Sequence, residues 1–332
     1  MQIPSKRTFL ISAVAFGFIL AAIVSGMLIF SAEPERFDVH AYAENLAGNQ
    51  AATRVTGYIT TASLIGVVEH LLDKPGGYLH NDRFPPGVFM DNMPNWEFGV
   101  LVQSRDLVRV LRDDFSRSQS QSTEVKALAA ADPLLQFDAN RWLFPSSESQ
   151  YRKAIRNLRA YLDSLSDAQA TTTQFFARAD NLANWLGVVN KRLGSLSQRL
   201  SASVGQVRLN TDLSGDEAAR QATPSPDIVS VATPWSEIDD VFFEARGSCW
   251  ALIHFFRAVE QDFGPILKKK NAVMSVRQIV RELEATQAPI HSPMILNGSE
   301  FGLWSNHSLV MGSYIARANA GVIDLRRLLE QG

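Results

Sequence analysis

Asp91 and Glu97 are the acidic pair whose spacing most suggests chemistry. Two carboxyls flanking a scissile bond are what a cell-wall glycosidase needs, at a separation of roughly 5–10 Å. A plainer account is available. Asp91 sits in a loop, and Glu97 falls in the first turn of the next helix, where a negative charge meets the positive end of the helix dipole. The catalytic reading requires both carboxyls to face one cleft.

His70, Asp73, His80 and Asp82 form a second group, with imidazole and carboxylate ligands of the kind that hold a divalent metal. The spacing lacks any H-x-x-x-H or H-E-x-x-H pattern, so these read as scattered polar residues. No metal or cofactor is expected. His254 shares a helix with Trp250 and Arg257, and its position places it at the edge of an apolar face. His40, His291 and His307 have no evident partners in the sequence. The one cysteine, Cys249, rules out an intramolecular disulfide and lies on an apolar helix face, where a thiol is inert packing. Gly76-Gly77 follows no strand and precedes no Gly-Lys-Ser, so it is no phosphate loop. No G-x-S-x-G elbow is present. These residues specify no reaction.

The elements that would position them are helical. Val55, Ile59, Ala62, Ile65, Val68 and Leu72 give one apolar face over about 51–73, which Lys74-Pro75-Gly76-Gly77 stops. Residues 74–95 read as a loop, with Asn95 as cap of a helix over about 96–116. Residues 117–145 read as irregular, including the polar run Ser116–Ser122. Ser147 and Gln150 have capping-box spacing. Beyond them Ile155, Leu158, Leu162, Leu165 and then Phe176, Leu186, Val189, Leu193, Leu196 and Leu200 keep a three-four rhythm, with Gln169 and Thr172 on the seam. The spacing predicts one long coiled-coil-like helix over about 148–206, or two helices broken at that polar patch. Thr233-Pro234 opens a further helix that Gly264-Pro265 ends, and others follow over about 273–286 and 306–330. Ile228–Val231 is too short and isolated to build a sheet, though loops of this size can hold minor β pairs. The fold class expected is all-α.

The chain has 332 residues, 46% of them hydrophobic and 20% charged, which is globular composition. Phe9–Phe30 is a run of 22 residues without a charge, long enough to cross a bilayer as one helix. Lys6 and Arg7 precede it; Glu33, Glu35 and Asp38 follow, with only Arg36 against them. The positive-inside rule then puts the N-terminus in the cytoplasm and the body outside. A cleaved signal peptide would have a shorter apolar region and a small-x-small site, whereas Phe30-Ser31-Ala32 places Phe where a small residue belongs. Ala13, Gly17, Ala21 and Ser25 recur every four residues and would let a second membrane helix approach closely. After position 30 the chain carries 30 basic and 34 acidic residues, which argues against nucleic-acid binding. The organisation expected is a tail 1–8, an anchor 9–30, a spacer 31–50, helical parts 51–206 and 234–332, and a linker 207–233.

Several blocks carry a family likeness: Asp91–Leu101, Asp114–Ser122, Pro145–Ser149, Asn306–Met311 and Ile323–Leu329. Over nearly all of the chain beyond the anchor they resemble the bacterial family called domain of unknown function 2333. That resemblance implies a proteobacterial protein with one N-terminal inner-membrane helix and a periplasmic body. It implies no catalytic residues. The function expected is a non-enzymatic envelope scaffold or partner-binding module. The alternatives are a peptidoglycan hydrolase built on Asp91 and Glu97 and a sensor binding a ligand within the bundle. The partners expected are the lipid bilayer and a protein, either another chain or a second copy of this one.

Overall fold

The computed structural model describes residues 6–48, 52–117, 124–167, 173–209, 228–292, 294–299 and 302–331. The seam residues Gln169 and Thr172, most of the Ser116–Ser122 run and most of the 207–233 linker lie outside the described residues.

Helix α1 spans Lys6–Phe30, and from Leu10 to Phe30 it is apolar enough to cross a membrane. Nearly all of it is exposed, which in water would be costly for so much apolar surface. Within it Ile23, Gly26, Met27 and Phe30 are half-buried. These four share one helical face, and the body covers it over the last two turns. A Cβ on Gly26 would lie 3.0 Å from Pro86 Cγ, so the loop after α3 reaches alongside the helix.

The spacer expected over 31–50 contains a second helix, α2 (Val39–Ala47). Its signals are standard. Asp38 accepts hydrogen bonds from the His40 and Ala41 N–H groups, and Gly48 at φ 66° closes the other end in the left-handed conformation. Helix α3 (Tyr58–Asp73) follows and is buried on almost every side. Helix α4 (Asn92–Val110) starts earlier than expected, because Asp91 rather than Asn95 is its cap, and it runs on through a π-turn at Leu111–Phe115. The stretch expected to be irregular holds α5 (Lys126–Leu135).

The single long helix is absent. Helix α6 (Ser147–Ser166) and helix α7 (Ala179–Ser201) are separate, and Ser146, not Ser147, caps the first. Between them Phe175, next to the expected seam residue Phe176, packs on Phe115 and Phe263, with ring centroids 5.2 and 5.6 Å away. The three-four rhythm is satisfied inside the chain. Helix α7 packs antiparallel on α11 (His307–Glu330), as Gly312 beside Leu200 and Gly187 beside Arg326 show. A short antiparallel ribbon, β1 (Gln206–Leu209) with β2 (Ile228–Val231), is the one strand pair among the described residues of an otherwise all-α body.

Helix α8 (Ile238–Asp262) is the axis of the bundle, buried along most of its length from Ala245 to Val259. Helices α9 (Gly264–Lys269) and α10 (Val273–Ala285) complete the set. The contacts define two ends. At the far end the α8 terminus meets the α3 start, where Asp262 Oδ2 accepts from the Thr60 N–H at 2.7 Å and its Oγ1 at 2.6 Å. At the anchor end lie the end of α3, the starts of α4, α6 and α8, and the segment joining α10 to α11. Arg152–Asp73, Asn95–Asp240 and the Arg246 bonds to Thr286 and Ala288 fix that arrangement.

Candidate functional site

Residues 33–37 follow α1 and thread into a groove of α8 instead of joining the body as a loose tether. Arg246 Nε donates to Glu33 Oε1 at 2.6 Å, while Arg246 Nη1 donates to the Thr286 and Ala288 carbonyls at 2.9 Å each. The guanidinium is almost fully buried, and every bond is charge-assisted. One turn on, the Trp250 indole N–H donates to the Pro34 carbonyl at 3.1 Å. Another turn on, His254 Nε2 accepts the Phe37 N–H at 3.2 Å. Its Nδ1 lies 2.8 Å from the Trp250 carbonyl, which assigns the proton to Nδ1. The Phe37 ring is held between His70 and His254, with centroids 4.6 and 4.2 Å away. Arg246, Trp250 and His254 are spaced as i, i+4 and i+8, so one helical stripe grips the strap. Burial drives the His254 imidazole down to about 3, with the Trp250 carbonyl opposing, so it is neutral at physiological pH.

Two clefts border the strap, and a third lies on the other side of Arg246. One of about 510 Å3 is polar, lined by Glu33, Arg36, Arg246, Arg257 and Gln287. Arg36 and Arg257 both pair with Glu284. A second, of about 470 Å3, runs beside Glu35, Glu69, His70 and Asp73. The third, of about 500 Å3, has mostly apolar walls from Phe242, Ile290, Leu296, Val310 and Met311, with Tyr314, His291 and His307 as polar groups. Arg246 forms a wall of both the first and the third.

Asp91 and Glu97 are not brought to one cleft. Asp91 caps α4 at the surface, accepting the Asn92 N–H at 2.8 Å. Glu97 faces the interior, paired with Lys74 Nζ at 2.6 Å, and both side chains are 0% exposed. The carboxylate also accepts the Leu79 N–H at 2.9 Å and the His80 N–H at 2.8 Å. Burial pushes it up to about 7, against the pull of the Lys74 ammonium and the two N–H groups. Glu97 thereby organises the 74–82 loop. The carboxyl near Asp91 is Asp240, raised to about 6 by burial and then by Asp239 and Asp91.

The four suggested metal ligands are apart. His70 Nδ1 bonds the Gly66 carbonyl, Asp73 pairs with Arg152, and His80 Nδ1 bonds the Pro94 carbonyl while its ring stacks on Phe98. Asp82 lies against Gly87. Among the described residues no three His, Cys, Asp or Glu side chains gather where a metal would sit. Cys249 is buried and its thiol is pushed up to about 12 by desolvation. On α1 the residues Ala13, Gly17, Ala21 and Ser25 are all exposed. At about 100° per residue they face roughly away from the side that the body covers. Sequence reasoning missed Glu33, Arg246 and Phe37. The available signal was an arginine whose helical neighbours at i−4, i+3, i+4 and i+7 are Phe242, Cys249, Trp250 and Ile253.

An all-α body gripping the segment after an unburied apolar N-terminal helix defines the class: one helix long and apolar enough to cross a membrane, held to a helical bundle by the hydrogen-bonded strap. The chain belongs to the family described as uncharacterized protein conserved in bacteria (DUF2333), whose model matches residues 4–332. No curated protein and no solved structure matches it.

Proposed function

We propose that this is a single-pass inner-membrane protein with a periplasmic body that acts as a non-enzymatic binding module of the cell envelope. The buried strap carries this reading. A body locked onto the end of its anchor through Arg246, Trp250 and His254 holds its clefts at a fixed height above the bilayer. Lys6 and Arg7 before the apolar run, with acidic residues after it, favour the periplasmic side. The apolar cleft between α8, α11 and residues 285–292 suits an inserted side chain or small molecule, in the usual range of roughly 300–1,000 Å3.

Photocrosslinking amino acids at Ile290 and Tyr314, compared in cells with Met274 at the far end, test this. A protein captured from both cleft positions and not from Met274 supports a partner-binding module. Capture equal at all three positions, or none, refutes it. A sensor is the second reading, favoured by the size of the same cleft. It predicts a small molecule released from the purified chain by native mass spectrometry and lost on Tyr314→Ala.

A further inference from the structure

Two loops at the anchor end carry large apolar side chains with nothing over them. Phe84, Val88 and Phe89 lie on the loop between α3 and α4, and Trp142, Leu143 and Phe144 lie just before α6. Phe144 is 92% exposed, Phe84 64% and Phe89 60%. The loops form one patch. The Phe84 and Trp142 rings meet edge to face at 5.5 Å, and Asn81 Nδ2 donates to the Arg141 carbonyl at 2.9 Å. Arg83 and Arg141, both exposed, stand beside the aromatics.

The patch has a known height. Pro86, inside the first loop, lies against Gly26, and Gly76 lies against Phe30. Gly26 is four residues before the end of the apolar span Leu10–Phe30, or about 6 Å below it along the axis. That span is about as long as the hydrocarbon core is thick. Pro86 is therefore about 6 Å inside the outer edge of that core, among the first acyl carbons, and its neighbours lie between that depth and the headgroups. Trp is enriched in this layer, and Trp, Phe and Leu beside Arg is the composition of segments that insert into a membrane surface. Trp235, Leu303 and Trp304, on other segments of the same end, are exposed as well. At the far end only Met274 and Leu328 are large exposed apolar residues among those described.

We propose that the Phe84–Phe89 and Trp142–Phe144 tips form a second membrane contact, inserted into the leaflet around the exit of α1, with a lipid surface as the occupant. This rests on α1 spanning the bilayer, as in the reading above. The two contacts together fix the tilt of the body as well as its height.

The test uses the full chain with a single environment-sensitive fluorophore on a cysteine at Phe89, Phe144, Met274 or Gly17. Cys249 is buried and does not compete. Each protein is reconstituted in phosphatidylethanolamine–phosphatidylglycerol vesicles that carry nitroxide lipids labelled at a shallow or a deep acyl position. Labels at Phe89 and Phe144 lose most of their emission to the shallow quencher and are shielded from aqueous iodide. The label at Met274 behaves in the opposite way, and Gly17 responds to the deep quencher. Iodide-accessible labels at Phe89 and Phe144 with Gly17 still quenched overturn the loop contact and leave the anchor standing. An unquenched Gly17 overturns both. Agreement between the two loop positions, which sit on separate segments, guards against one substitution disturbing its own loop.

Discussion

His254 and Lys74 show how single buried polar groups fix the strap and the loop beside it. His254 is folded in its neutral form with its value lowered to about 3, while the unfolded chain has the ordinary 6.5. Above about pH 7 both states are neutral and the strap keeps its full stabilisation. As the pH falls below 6.5 the unfolded chain takes up a proton that the folded one refuses, and stability falls by about 1.4 kcal/mol per pH unit. Asp262 and Glu97, raised to about 6 and about 7 by burial, work the other way over the same range. The informative quantity is therefore a difference. Urea unfolding of the chain and of His254→Gln predicts a stability gap that is constant above about pH 7 and narrows as the pH drops below 6.5; a pH-independent gap rejects the assignment. Lys74→Met leaves the Glu97 carboxyl buried without its cation. The expected loss is about 3 kcal/mol at alkaline pH, the scale of a broken buried pair. It is smaller in mild acid, where Glu97 holds a proton, and thermal unfolding at the two pH values measures it. The sequence reads Glu97 as a helix-start acid, but α4 begins at Asn92 with no acid in its first turn, and Glu97 lies a turn further in, facing the interior. Its partner was not legible, because Lys74 lies in a loop whose path depends on tertiary packing.

Among the elements, the α4–α8 crossing is the tightest. A Cβ on Gly99 would lie 2.1 Å from the Glu244 carbonyl oxygen, and one on Gly247 would lie 2.0 Å from that of Trp96. The obstacle in each case is backbone, so the helices must move apart. Overpacking of this kind costs typically about 1–3 kcal/mol, and more where neighbours are rigid. Gly99→Ala and Gly247→Ala are expected to sit at or above the top of that range in chemical denaturation. Gly17→Ala, with nothing within 4 Å, is expected to leave the body unchanged. Helix limits set by local signals were legible: expectations of 273–286 and 306–330 met helices at Val273–Ala285 and His307–Glu330. The 148–206 expectation failed in its single-helix form. Heptad rhythm reports which face is buried and not whether the chain continues, and among the described residues Asp167 and 173–178 are outside any helix. The α2 helix was missed although Asp38 and Gly48 mark both of its ends, because nine residues carry too little periodicity.

For the whole molecule, the sequence shows an apolar helix and a globular remainder but not how they are joined. Joining depends on pairings such as Glu33 with Arg246, 213 positions apart, which no local pattern announces. The proposed orientation makes a direct prediction. In cells with a permeabilised outer membrane, a cysteine at Met274 reacts with a membrane-impermeant maleimide, and a cysteine at Gln2 reacts only after lysis. Labelling with the opposite preference would reverse the proposed sidedness.

The strap also dictates an order of assembly. Glu33, Pro34 and Phe37 emerge from the ribosome early, whereas the side chains that receive them stand on α8, more than two hundred residues later. Throughout that interval of synthesis the segment next to the anchor has no groove to occupy, and closing so long a loop is a late and slow event. A nascent chain halted before α8 would carry residues 33–37 as an open tether after α1, accessible to proteases. Only completion of the second half converts that tether into a rigid joint, so a protected strap is a mark of a chain that was finished.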